Sequence, residues 1–149
     1  MLLVHATSVL VDGTGVLIRG PSGSGKSDLA LRLIDGGARL VADDQTALEA
    51  RDGRLWASAP PSIAGKLEVR GLGIVAVPSA PSACLGLVVD LQPRDRIERL
   101  PEASTTTLLG VILPRLDLFP FEASAPAKLR LAVAAQKTVI ISPATVPSP

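Results

Sequence analysis

The stretch Gly20-Pro-Ser-Gly-Ser-Gly-Lys-Ser27 constrains this chain more than any other. It satisfies the phosphate-binding pattern G-x-x-x-x-G-K-S/T at each fixed position. Gly15 to Arg19 before it reads as a short buried strand. Lys26 to Ile34 after it reads as a helix, with Leu29, Leu33 and Ile34 on one face and Gly36-Gly37 as its C-cap. Strand, glycine loop and helix in that order let backbone N–H groups wrap a polyphosphate over a helix N-terminus. Gly20, Pro21, Ser22, Gly23, Ser24, Gly25, Lys26 and Ser27 are therefore the expected nucleotide-binding residues. Lys26 is expected to reach the β- and γ-phosphates of a nucleoside triphosphate, and the Ser27 hydroxyl to ligate Mg²⁺.

Composition narrows the remaining possibilities. At 149 residues the chain is one domain, expected over 1–142, followed by a loose proline-rich tail over 143–149. Its formal net charge of +1 implies no broad attraction to nucleic acid or to a membrane. With two Phe, one Trp and no Tyr, it is poor in the stacking platforms of single-strand-binding proteins. No apolar run approaches the ~18 residues that cross a bilayer. The N-terminus lacks the basic start of a signal peptide. The lone Cys84 suits a reducing compartment, so a cytoplasmic protein is expected.

Along the chain, Leu2 to Val11 and Gly15 to Arg19 form an expected hairpin turned at Asp12-Gly13, with His5 on the first strand. Ala38 to Asp44 is a strand ending in two acids. Alternation allows only one of Asp43 and Asp44 to face the site unless the strand has ended. Thr46 to Trp56 is a second hairpin, turned near Asp52-Gly53. Gly65 to Val77 is a strand-like run with three glycines, in which Glu68 and Arg70 share parity, either as a site or as an ion pair. Leu85 to Leu91 is a buried strand, and Gln92 to Pro101 a charged, exposed loop. Thr107 to Leu113 and Pro114 to Phe119 read as strands split by the proline. Ser124 to Gln136 is a helix with Leu129, Leu131, Val133 and Ala134 on its apolar side, and Thr138 to Ile141 a last extended segment.

Four segments together resemble the catalytic domain of HPr kinase/phosphorylase: His5, Gly20 to Ser27, Arg39 to Asp44, and Leu67-Glu-Val-Arg-Gly-Leu-Gly-Ile74. The last string is more specific than the phosphate loop, and the likeness is good over residues 5 to about 77. The resemblance implies an α/β fold, a P-loop kinase domain with a mixed sheet related to phosphoenolpyruvate carboxykinase. It implies a serine kinase using ATP and Mg²⁺ on the phosphocarrier protein HPr, in a homo-oligomer such as the hexamer typical of the family. Carried over residue by residue, Lys26 belongs to the ATP-binding element, and Ser27 and Glu68 are the Mg²⁺ ligands. Asp44 accepts the proton of the substrate serine, and His5 lies beside that acid. Arg99, in the partial match Arg99-Leu-Pro101 to the family's Arg-Leu-Gly loop, closes over the phosphates or contacts the partner.

Phe119 to Pro126 replaces a family segment P-V-R-P-G-R-N associated with phosphorolysis and lacks its arginines, so the resemblance implies a kinase with little reverse activity. A small-molecule kinase of the same core, and a nucleotide-gated module without turnover, remain as alternative readings.

Overall fold

A computed structural model describes residues 1–137. In chain order the strands are β1 (Leu2–Val4), β2 (Ala6–Val11), β3 (Thr14–Arg19), β4 (Arg39–Ala42), β5 (Thr46–Arg51), β6 (Arg54–Ser58), β7 (Lys66–Val69), β8 (Gly73–Ala76), β9 (Ser82–Leu91), β10 (Ser104–Leu108) and β11 (Val111–Leu118). Helix α1 (Lys26–Asp35) follows β3, and α2 (Ala125–Lys137) follows β11. The sheet is mixed, as expected for an α/β domain. β9 runs parallel to both β3 and β11, and the other pairings are antiparallel. The principal order is β1-β5-β6-β9-β3-β2-β4, with β10-β11 attached through β9. Among the described residues, no helix is long and apolar enough to cross a membrane.

β9 is the spine because its ten residues are long enough to serve several partners. Its first third pairs with β6, and its last third lies between β3 and β11. The register with β3 jumps from Gly15↔Leu85 to Val16↔Leu87, so Gly86 is an extra residue in β9. An inserted residue reverses side-chain parity beyond it. Ala83 and Leu85 therefore join the core on one face, whereas Leu87, Val89 and Leu91 join the core beneath the helices. The helix-side core takes Leu29 and Leu33 from α1 and Leu129 and Val133 from α2, each essentially buried. Burial of each such leucine is worth about 1.5–3 kcal/mol.

α1 starts at Gly25 in the left-handed region (φ 103°) and stops as expected at Gly36-Gly37, where the Gly37 N–H donates to the Ile34 carbonyl at 2.9 Å. The β2–β3 and β5–β6 hairpins turn at Asp12-Gly13 and Asp52-Gly53, with both residues of each pair at positive φ, the primed geometry that matches strand twist.

Several expectations need correction. Leu2 to Val11 is two strands broken at His5: β1 pairs with β5, whereas β2 lies between β3 and β4. The run 65–77 is not one strand but a separate hairpin, β7–β8, so Arg70 sits in its turn and shares no strand face with Glu68. Pro114 does not split a strand. It lies inside β11 opposite Thr105, and the break falls at Leu109-Gly110, both at positive φ. A leucine at positive φ is uncommon, so Gly110 alone marks that turn in the sequence. On α2 the buried stripe is Ala125, Leu129 and Val133 at four-residue spacing, whereas Leu131 is 70% exposed and Ala134 is exposed. The extended segment expected at Thr138 to Ile141 and the tail over 143–149 lie outside the described residues.

Candidate active site

β3 delivers the chain into the phosphate loop and α1 leaves it. Lys26, the first residue of α1, is buried, and its Nζ donates to the carbonyls of Gly20 (2.6 Å) and Pro21 (3.0 Å). Gly20 and Pro21 thus form the back of the loop. Ser22, Gly23, Gly25, Lys26 and Ser27 line an open cleft of about 660 Å³. The Ser24 hydroxyl is buried without a hydrogen-bond partner among the described residues. A Cβ on Gly20 would stand 2.5 Å from it, so a side chain there would force Ser24 to shift.

The two acids behave differently because β4 has ended at Ala42 before either is reached. Asp43 turns inward. Its carboxylate accepts hydrogen bonds from the Ser27 hydroxyl (2.6 Å), the Thr7 hydroxyl (3.3 Å) and the Glu68 backbone N–H (3.0 Å). Asp44 adopts the left-handed region (φ 65°) and its N–H donates to Thr7 Oγ1 at 3.1 Å. Its carboxylate lines the cleft, is 60% exposed, and lies 2.6 Å from His5 Nε2. Thr7 therefore ties both acids to β2. Sequence reasoning left the choice between the acids open and missed Thr7. Its only signal was a buried hydroxyl two residues after His5.

β7 and its turn bring Glu68 and Arg70 to the same cleft, both exposed. Arg99 is exposed in the charged loop and is not among the residues lining the cleft. No group of three or more His, Cys, Asp or Glu side chains suited to a metal occurs among the described residues. A cation here must complete its shell from a ligand and water, as Mg²⁺ does beside polyphosphates. The hard oxygens of Ser27 and Glu68 are of the kind that fits that ion, and Asp43 ties the Ser27 hydroxyl to the backbone N–H of Glu68.

The segment after β11 closes another side of the cleft. Phe121 lines it, and a Cβ on Gly25 would meet the Phe121 ring at 2.9 Å. Arg32 of α1 donates to the carbonyls of Pro120 and Glu122. Glu122 is paired with Lys128 at 2.5 Å and Arg94 at 3.9 Å. Its charge is therefore compensated.

Just behind the loop, Arg19 grips Asp90 with two hydrogen bonds (2.6 and 2.9 Å), and Arg115 adds a third at 2.6 Å and reaches on to Asp117. Burial pushes the Asp90 carboxyl up, but the hydrogen bonds and charges of Arg19 and Arg115 outweigh it and hold the pKa below its ordinary value. The network's contribution is therefore complete above the unfolded value of about 3.9 and is lost as pH falls through the folded one. Asp90→Asn is expected to lower stability by about 2–3 kcal/mol at neutral pH, because two half-buried guanidinium groups lose their anion. In urea titrations at several pH values, the gap to wild type should close under strong acid. A gap independent of pH would show that the charge is not what stabilises.

The sequence profile described as "HPr Serine kinase C-terminal domain" matches residues 1–139. The chain is 38% identical over 127 residues to the HPr kinase/phosphorylase of Limosilactobacillus reuteri (strain DSM 20016), covering 77% of this chain and 40% of that protein. To the HPr kinase/phosphorylase of Geobacillus thermodenitrificans (strain NG80-2) it is 41% identical over 127 residues, covering 77% and 41%. To that of Clostridium tetani (strain Massachusetts / E88) it is 53% identical over 76 residues, covering 51% and 25%. The chain thus spans about 40% of the length of the first two of these relatives. Among solved structures, the Hpr(Ser) kinase/phosphatase from Coxiella burnetii matches with a TM-score of 0.84 at 27% identity, over 94% of this chain and 99% of that one.

Proposed function

Because the chain belongs to the HPr serine kinase C-terminal domain family, we propose that it transfers the γ-phosphate of ATP to a serine hydroxyl of an HPr-type phosphocarrier protein. One observation carries the reading: an exposed carboxylate, Asp44, stands in the phosphate-loop cleft with His5 Nε2 at 2.6 Å. Asp44 is the proton acceptor for the serine hydroxyl, and His5 holds that carboxylate in its pose. Asp43 cannot serve, because both its oxygens are engaged by Ser27, Thr7 and the Glu68 N–H. It positions Ser27 and Glu68 instead. Ser27 and Glu68 would hold Mg²⁺, which would supply charge neutralisation for the phosphate chain. Lys26 leaves its loop carbonyls for the γ-phosphate, while the loop N–H groups and the start of α1 bind the phosphate chain. Arg99 acts from its loop on the phosphates or the partner protein. We place the domain, residues 1–142 with the tail beyond, in the cytoplasm as a homo-oligomer. The family resemblance and the unpaired Cys84 support that placement.

The test is incubation of the chain with labelled ATP, Mg²⁺ and purified HPr. Label on an HPr serine is the expected result. ATP binding without transfer, or transfer only to a small molecule, would replace this reading with a regulatory module or a metabolite kinase. Given phosphoserine-HPr and millimolar phosphate, the same preparation is expected to release pyrophosphate far more slowly than it runs forward. Two anions in one site call for forked guanidinium groups, and Phe121 stands on the cleft wall in the segment where the family's arginines are missing. Comparable forward and reverse rates would show that Arg70 and Arg99 supply the cations that the segment lacks.

A further inference from the structure

We infer that Phe121 is a stacking platform for the nucleobase of the phosphoryl donor, so that the cleft is built for a nucleoside triphosphate rather than an inorganic polyphosphate. The inference rests on the reading that this cleft takes ATP, and it identifies what recognises the far end of that molecule.

The cleft has two chemically distinct parts. Lys26, Ser27, Asp44, Glu68 and Arg70 supply charge and hydrogen bonds, whereas its large apolar side chains are Leu31, Val69 and Phe121. Leu31 lies four residues after Ser27, one turn further along the same face of α1. Phe121 abuts the loop at Gly25, within 2.9 Å of where a Cβ would be. Apolar side chains from α1, β7 and the segment after β11 thus face the same cleft as the phosphate loop, a surface on which the uncharged end of a nucleoside triphosphate can be laid. At about 660 Å³ the cleft has room for a whole nucleotide.

Phe121 is 60% exposed in a chain with only two phenylalanines. An open aromatic ring contributes little to folding, yet this one is held firmly. Arg32 fixes the carbonyls on both sides of it, at Pro120 and Glu122. Phe119 meets it edge-on at 5.9 Å and 78°, and the Arg94 guanidinium lies 4.7 Å over Phe119 in turn. A ring already braced loses little freedom when a base is laid on its open face.

Stacking of a base on an aromatic side chain is worth about 5- to 150-fold in affinity. The test compares Mg-ATP with Mg-tripolyphosphate, which carries the phosphates and no base, by titration calorimetry. Phe121→Ala and Phe121→Leu are expected to weaken ATP within that range and leave tripolyphosphate unchanged, and Phe121→Trp to restore ATP binding. Phe121 is exposed, so its replacement should leave the fold intact. Equal weakening of both ligands would show that the ring merely supports the loop and would overturn the inference, as would unchanged ATP affinity in the alanine and leucine variants. If the unmodified chain binds neither ligand, the kinase reading itself fails and this inference fails with it.

Discussion

Lys26→Ala is expected to reduce phosphoryl transfer by at least about 10²–10³-fold, the loss typical of removing one preorganised donor of charge stabilisation. The side chain is buried at the start of α1 and donates to the carbonyls of Gly20 and Pro21 at 2.6 and 3.0 Å. Those two acceptors keep an ammonium group desolvated and poised beneath the cleft. A phosphate oxygen is a stronger acceptor than a carbonyl, so the exchange of partners on binding is favourable. Alanine is well tolerated in a first helical turn, and the thermal midpoint should move little. The measurement is the transfer rate to HPr with nucleotide saturating, beside a melting curve of the variant. Normal turnover would mean that the loop is not where transfer happens.

Asp44→Asn is expected to keep Mg-ATP binding and lose about 10²–10⁴-fold in transfer, because only the proton acceptor is removed. The contrast with Asp43→Asn is diagnostic. Asp43 accepts from Ser27, Thr7 and the Glu68 backbone, so an amide there disturbs the positions of Ser27 and Glu68 and should weaken Mg-ATP itself. His5→Ala should fall between wild type and Asp44→Asn, since it loosens the carboxylate without removing it. The readout is nucleotide affinity and single-turnover transfer for each variant. If Asp43→Asn transferred poorly with full nucleotide affinity while Asp44→Asn transferred normally, the roles of the two acids would be reversed.

The Asp43-Asp44 pair shows how far local pattern reaches. A strand ending in two carboxylates is visible in the sequence, and alternation predicts that only one faces the site. Asp44 lines the cleft and Asp43 turns inward onto Ser27, an arrangement set by the end of β4 at Ala42 and by the left-handed conformation of Asp44 tied to Thr7. Glu68 and Arg70 fail to share a face for a related reason: the glycines around them form a turn rather than a bulge.

What the sequence determined by itself is local. The loop from Gly20 to Ser27, the helix behind it with its glycine stop, and the hairpins at Asp12-Gly13 and Asp52-Gly53 follow from short-range backbone preference and hydrophobic period. The family resemblance follows from the loop together with the string Leu67 to Ile74. Only the tertiary structure decided which side chains meet. His5 reaches Asp44 across 39 positions, and Arg32 reaches the carbonyl of Glu122 across 90. Phe121 closes on Gly25 from the far end of β11. The parity reversal at Gly86 sends successive parts of β9 to opposite cores. Such contacts depend on how strands are ordered and registered in the sheet. That order is set by the joint packing of two cores rather than by any single segment.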